Sequence, residues 1–102
     1  MPDLKTAIPF DLRSLEVFIT VCETGSMEAA ARKLGLTQPA VSLSVAELER
    51  KIACQLFDRS VRPMALTLAG GLVRQRASAL IADASQIGPI LQEMKRGYLP
   101  LI

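Results

Sequence analysis

The stretch Met27–Ala46, MEAAARKLGLTQPAVSLSVA, decides how this chain folds. It reads as a short helix, a tight turn at Gly35 and a second helix that opens with Thr37-Gln38-Pro39. Ala30, Ala31, Leu34, Leu36, Val41 and Val45 are small or apolar, at the spacing of two helices that cross steeply over a glycine turn and share one core. Pro39 is tolerated because first-turn amides have no helical partner to lose. From Val41 the inward positions run Val41, Val45, Leu48 and Ile52. Pro39, Leu43, Ala46 and Arg50 therefore point the other way, with Gln38 and Ser42 beside them. That outward side carries no charge in its first two turns. A short polar helix end standing proud of a small core is what a DNA major groove accepts. The pattern points to a protein that reads DNA.

Upstream, residues 1–9 read as a lead-in that ends at Pro9, and Asp11 is an N-cap for a helix running to about Glu23. Leu15, Phe18, Ile19 and Cys22 follow the i, i+3, i+4, i+7 rule and form one apolar stripe. Thr24-Gly25 closes that helix and Ser26 caps the next. Downstream, Leu56-Phe57 is an apolar anchor before Asp58-Arg59-Ser60-Val61-Arg62-Pro63 and Met64-Ala65-Leu66-Thr67. This segment is too short for a helix and predicts a small hairpin, or wing. Arg59 and Arg62 flank its tip, where phosphate contact is the expected use of two arginines beside a helix-turn-helix.

Thr67 caps a long helix expected over 68–96. Val73, Ala77, Leu80, Ala84, Ile87, Leu91 and Met94 repeat with spacings of four and three, a narrow heptad seam that favours self-association. Gly70-Gly71 in the first turn weakens this helix. Gly88-Pro89 predicts a kink or break near Gln86–Pro89, because proline removes one backbone bond and crowds the preceding turn.

At 102 residues, half of them apolar, the chain has room for one domain and one core. Its large rings are three Phe and one Tyr, with no Trp, so the core must be mostly aliphatic, a composition that favours helices. Net charge is only +2, and Asp11 to Thr67 holds seven acidic and seven basic residues. DNA binding must therefore be argued from where the charges sit. Cys22 and Cys54 lie on expected helices and read as small buried hydrophobes, not a disulfide or reactive pair. The absence of histidine removes histidine-dependent zinc fingers and His-based catalysis. With no nucleophile–base pair, phosphate loop or metal cluster, neither an enzyme nor a cofactor or metal site is expected. The N-terminus lacks a signal-peptide core and no apolar run is long enough to span a bilayer, so a cytoplasmic location is expected.

From Leu12 to Gly70 the chain resembles the winged helix-turn-helix domain of LysR-type transcriptional regulators. The resemblance rests on Leu15-x-x-Phe18, Gly25-Ser26, Ala30-Ala31-x-x-Leu34, Thr37-Gln38-Pro39-Ala40-Val41-Ser42, Leu48-Glu49, Leu56-Phe57-Asp58-Arg59, Arg62-Pro63 and Leu66-Thr67-x-Ala69-Gly70, in order and at the right spacing. It implies a third helix in the major groove, a wing along the minor groove or backbone, and a long helix paired antiparallel with its copy. It also implies a C-terminal small-molecule-binding half of two α/β lobes. That half is not in this sequence, which fits an N-terminal fragment or a truncated paralogue. Carried over by position, Gln38, Pro39 and Ser42 face the groove, Ser26 and Thr37 donate to phosphates as well as capping helices, and Arg59 and Arg62 are wing contacts. Leu43 stands where the family often has Arg or Gln, Ala65 where it often has a basic residue, and Ala53 where it has a glycine.

The expected fold is mainly α: a winged helix-turn-helix of three helices and a short two-stranded wing, followed by a long dimerisation linker helix. The expected divisions are a tail (1–9), the DNA-binding domain (10–67, with the helix-turn-helix at 27–46 and the wing at 58–67), the linker helix (68–96), and a tail or the start of an effector domain (97–102). The expected function is sequence-specific double-stranded DNA binding within a dimeric bacterial regulator. Gln38, Pro39, Ser42 and Leu43 would read bases at a dyad-symmetric site; Ser26, Thr37, Arg50, Arg59 and Arg62 would hold the backbone. A full-length form could assemble as a tetramer, and a small-molecule effector enters only with a C-terminal domain. The competing reading is a truncated dimerisation module that pairs with a full-length regulator and antagonises it.

Overall fold

Residues 10–97 are described by the computed structural model. The lead-in expected over 1–9 and the tail beyond Gly97 lie outside the described residues. Five helices and one hairpin follow in order: α1 (Leu12–Thr24), α2 (Met27–Leu34), α3 (Gln38–Ile52), β1 (Phe57–Asp58), β2 (Ala65–Leu66), α4 (Leu68–Ser85) and α5 (Ile87–Lys95). The architecture is the mainly helical winged helix-turn-helix expected, with a two-stranded wing.

Local chemistry sets the helix ends. The Asp11 carboxylate accepts from the Ser14 amide at 2.8 Å, the Ser26 hydroxyl from Ala29 at 3.0 Å and the Thr37 hydroxyl from Ala40 at 3.2 Å. Each satisfies an amide that the first helical turn leaves without a partner. Gly35, at φ +68°, makes the left-handed bend between α2 and α3, and its amide returns to the last carbonyls of α2. Leu36, expected in the shared core, is 37% exposed instead. Its amide bonds the Ala31 carbonyl at 2.9 Å, on the far side of the left-handed residue, which leaves the side chain outside.

The core is aliphatic with one aromatic pair. Phe18, Val21, Val41, Val45, Leu48 and Leu56 are fully buried, and the Phe18 and Phe57 rings lie 5.3 Å apart at 55°, a tilted arrangement favourable for aromatic quadrupoles. Ala30 and Ala31 are buried where α2 meets its neighbours, and their small side chains fill that close-packed contact. Every inward position expected on α3 is covered, Ile52 partly so. Thr20, the polar residue in this core, donates its hydroxyl to the Glu16 carbonyl at 2.8 Å.

Phe57 pairs with Leu66 and Asp58 with Ala65 in an antiparallel wing. Thr67 joins wing to linker: its amide donates to Leu56 O at 3.0 Å, its hydroxyl donates to Gln55 O at 2.6 Å, and the same oxygen accepts from the Gly70 amide at 2.9 Å. Gly70 is not the weakness its position in a first turn suggested. A Cβ there would stand 2.0 Å from the Leu56 carbonyl oxygen, so glycine is what allows α4 to start against the wing. Gly71 meets nothing within 4 Å.

The helix expected over 68–96 is two helices. The break is at Gln86, whose amide bonds Asp83 O at 3.1 Å in the tighter i−3 pattern. Pro89, which has no N–H, withholds the next-turn bond from the Ser85 carbonyl, and α5 resumes with Ile90 bonded to Gln86 at 2.9 Å. The radius of gyration is 16.4 Å, against about 13 Å for a compact hundred-residue domain, because the end of α4 and all of α5 extend beyond the core. Among the described residues no helix is long and apolar enough to cross a membrane.

Candidate nucleic-acid interface

The outward side of α3 is as the helical wheel predicts. Gln38, Pro39, Ala40, Leu43, Ala46 and Arg50 are exposed and Ser42 is half-buried beside them. Leu43 is 63% exposed, a large apolar side chain standing in solvent. No charge precedes Glu47 along this helix, and Glu47 pairs with Arg50 at 2.6 Å. The outward edge ahead of these charges is thus a neutral strip with one amide and a hydroxyl.

Glu49 ties this helix to the wing. Its side chain is only 11% exposed and accepts four hydrogen bonds: the Leu56 amide at 2.7 Å, the Phe57 amide at 3.3 Å, and both guanidinium nitrogens of Arg59 at 2.9 and 3.3 Å. Burial alone would raise the Glu49 pKa, but Arg59 and the two amides outweigh it and hold the carboxyl below its ordinary value. The carboxylate fixes where the wing leaves the core and how its first strand lies against α3. A shallow groove results between helix and wing, lined by Met27, Ser42, Ala46, Glu49, Arg59, Arg62 and Met64.

The expected backbone contacts differ accordingly. Arg62 is exposed at the wing tip and makes no ion pair among the described residues. Arg59 is committed to Glu49, so the two wing arginines are not the equivalent pair the sequence suggested; one positions the wing and the other is free. Arg50 is exposed, with Glu47 as a surface partner that water screens. Thr37 is exposed and Ser26 half-buried; each hydroxyl oxygen accepts a helix amide, which leaves its proton available to a phosphate oxygen.

Ala53 closes α3 at φ +63°, a left-handed residue with a side chain. The Ala53 and Cys54 amides return to Arg50 O and Glu49 O, each at 3.2 Å. The cap keeps the shape a glycine would give, at a steric cost of about 1 kcal/mol or more. Cys54 is therefore past the helix end and exposed, against the expectation of a buried helical cysteine. Cys22 is half-buried on α1, where burial pushes its thiol pKa up and Arg74 partly opposes it.

The apolar seam left open on the linker is shorter than the heptad pattern. Ala77 is 2% exposed within one chain, and Val73 packs against the same core, because α4 crosses α1 at this level. A pocket of about 290 Å³ lies at the crossing, lined by Phe10, Leu15, Ile52, Leu72, Val73, Arg76, Ala77 and Leu80. Leu80, Ile87, Leu91 and Met94 remain exposed and Ala84 is half-buried. Leu72 and Ile90, outside the predicted seam, add to the open apolar surface.

Residues 12–71 match the family described as bacterial regulatory helix-turn-helix protein, lysR family. The chain belongs to that family. Over 86 residues this LysR-family chain is 44% identical to an uncharacterised HTH-type transcriptional regulator of Azotobacter vinelandii, a match spanning 84% of the chain and 55% of the relative. It is 37% identical over 89 residues to a probable RuBisCO transcriptional regulator of Cyanidioschyzon merolae, spanning 87% of the chain and 29% of that protein. The chain thus spans about half of one curated relative and under a third of the other. Among solved structures it is similar to the BenM DNA-binding domain in complex with catB site 1 DNA, with TM-score 0.83 and 31% identity over 88% of this chain and 97% of that one. The CbnR DNA-binding domain in complex with DNA matches at TM-score 0.77 and 31% identity, covering 84% and 99%. As a LysR-family member the chain carries the DNA-binding domain of a transcriptional regulator, and such regulators are not an enzyme class.

Glu49 has no role that its sequence position alone suggests, and Arg59 reads from sequence only as a phosphate contact. Glu49 and Arg59 stand ten positions apart, on different elements, and only their meeting in space reveals the lock. Gly70 had a signal, a glycine pair in a helical first turn, but its meaning needed the Leu56 carbonyl above it.

Proposed function

We propose that this chain binds double-stranded DNA in a sequence-specific manner as the reading domain of a dimeric transcriptional regulator. α3 enters the major groove, and the wing lies on the backbone or the neighbouring minor groove. The observation that carries this is the exposed, uncharged edge of α3, tied to the wing by half-buried Glu49. Gln38, Pro39, Ser42 and Leu43 meet base edges. Gln38 can bond adenine through two atoms and no cation stands ready for guanine, so the half-sites contain A·T pairs. Arg62 is the principal wing contact to phosphate; Ser26, Thr37 and Arg50 supplement it, while Arg59 acts through the wing's position.

Dimerisation uses Leu80, Ala84, Ile87, Leu91 and Met94, the part of the seam that one chain leaves uncovered. The copies then present two reading helices to a dyad-symmetric site. Any small-molecule effector belongs to a further domain of a longer protein.

Selection from a random duplex pool tests the reading directly. The expected product is a dyad-symmetric, A·T-containing site. A non-symmetric product would remove the dimer, and no enrichment would remove DNA reading. On the selected site, Arg62→Ala should weaken all sequences alike and flatten the slope of log affinity against log salt by about one unit. Gln38→Ala should relax preference at one position of each half-site. Equal scaling of every sequence by both variants would undo the division of roles.

A further inference from the structure

Leu43 has no structural duty in the described residues. It is 63% exposed and belongs neither to the buried core nor to the half-buried side chains packed against it. Pro39 and Ala40 lie one turn before it and Ala46 one turn after, all exposed, so they form a continuous apolar ridge along α3. The ridge shares its edge with Gln38 and Ser42 and is continuous with the surface assigned above to DNA. The nearest cation on this helix face, Arg50, is two turns away and drawn to Glu47 at 2.6 Å.

The major groove offers few apolar groups to such a ridge. Thymine projects a C5 methyl, whereas cytosine has only hydrogen at that position. A methyl placed on cytosine C5 occupies the same place in the groove. We propose that Leu43 makes α3 a reader of pyrimidine C5 methyl groups, thymine and 5-methylcytosine alike. The proposal rests on α3 being the DNA-reading helix and adds a ligand group and a residue to it. Removing one methyl from beneath a buried leucine contact should weaken binding about fourfold, the worth of one CH₂ withdrawn from water.

The test uses the full chain and the duplex obtained by selection. Each thymine is replaced in turn by deoxyuridine, which deletes only the methyl, and affinity is measured for the wild type and for Leu43→Ala. The expected result is an approximately fourfold loss at one position per half-site for the wild type, and indifference at that position for the variant. Cytosine placed there should bind more weakly than 5-methylcytosine by a similar factor, again only when Leu43 is present. Leu43→Met should keep the methyl dependence, and unchanged thermal melting would show that both variants fold. A wild type indifferent to every deoxyuridine, an equal loss in Leu43→Ala, no gain from 5-methylcytosine, or a selected site without thymine would each overturn the proposal while leaving DNA reading intact. Failure to select any duplex would overturn both.

Discussion

The chain from α1 through the wing and the arm formed by the end of α4 and α5 are held together in different ways. In the first region each helix begins under a side-chain cap, and the wing is tied to the core by Glu49 and Thr67. In the arm, α5 starts without a side-chain cap and buries no residue, and its apolar positions Ile87, Ile90, Leu91 and Met94 face solvent. The first region covers a core of its own within one chain, and its most exposed large apolar side chain is Leu43 on the outward edge of α3. The arm satisfies only its backbone. An isolated nine-residue helix is marginal in water, so an exposed apolar face on one gains most of its stability from a second surface. One sequence thus contains a finished fold and an arm whose apolar face is uncovered.

The largest test of this contrast is at the junction. Gly70→Ala places a methyl 2.0 Å from the Leu56 carbonyl oxygen, and backbone must move to admit it. A loss of about 3 kcal/mol is expected in urea denaturation. Gly71→Ala, with nothing within 4 Å, should gain up to about 1 kcal/mol through helix propensity. If both variants shifted stability in the same direction, the closeness of α4 to the wing would be the wrong explanation for Gly70.

Next comes the lock. Glu49→Gln keeps the shape but removes the charge that Arg59 and two amides share, and should cost about 1–3 kcal/mol. Because the folded state holds this carboxyl below its unfolded value near 4.5, the unfolded chain binds more protons in the window between the two values. The contribution is complete above that ordinary value and disappears as pH falls through the lowered one. The wild type should therefore lose stability more steeply than Glu49→Gln on acidification below about pH 4.5, measured as urea midpoints across that range. Parallel acid limbs would show that other carboxylates dominate.

A smaller effect is expected at the end of the reading helix. Ala53→Gly relieves a left-handed alanine and should stabilise the fold by up to about 1 kcal/mol, less whatever glycine's freedom returns to the unfolded chain. A lower melting temperature would mean that the cap geometry is unstrained. In the arm, Leu91→Glu should change the intrinsic stability of the first region by no more than about 0.5 kcal/mol. It should nevertheless shift a dimer toward monomer in analytical ultracentrifugation. A variant that remained fully dimeric would place the contact elsewhere on the arm.

Much of the first region was legible because its signals are local. Asp11, Ser26, Thr37 and Thr67 each act on an amide three positions away, a distance that sequence displays directly. The face of α3 followed from 3.6-residue periodicity, and the break near Gln86 followed from proline's missing donor. The failures were non-local. Leu36 faces outward because of one left-handed residue before it, and Cys54 because α3 ends under another. Ala77 matches a heptad seam as well as any other member, yet α1 already covers it. Periodicity identifies an apolar side of a helix but not which surface lies against it.

Sequence by itself determined the helix-turn-helix, its caps, the uncharged edge from Gln38 to Leu43 and the interruption ahead of Pro89. Each follows from bonds within a turn or two of the residue that makes them. Only the tertiary structure decided that Arg59 holds the wing while Arg62 stays free, that Gly70 is a contact and not a defect, and that part of the expected seam belongs to the core of a single chain. Those outcomes depend on groups brought together by packing, and a carboxylate, a carbonyl or an alanine methyl has no fixed meaning until its neighbour across the fold is in place.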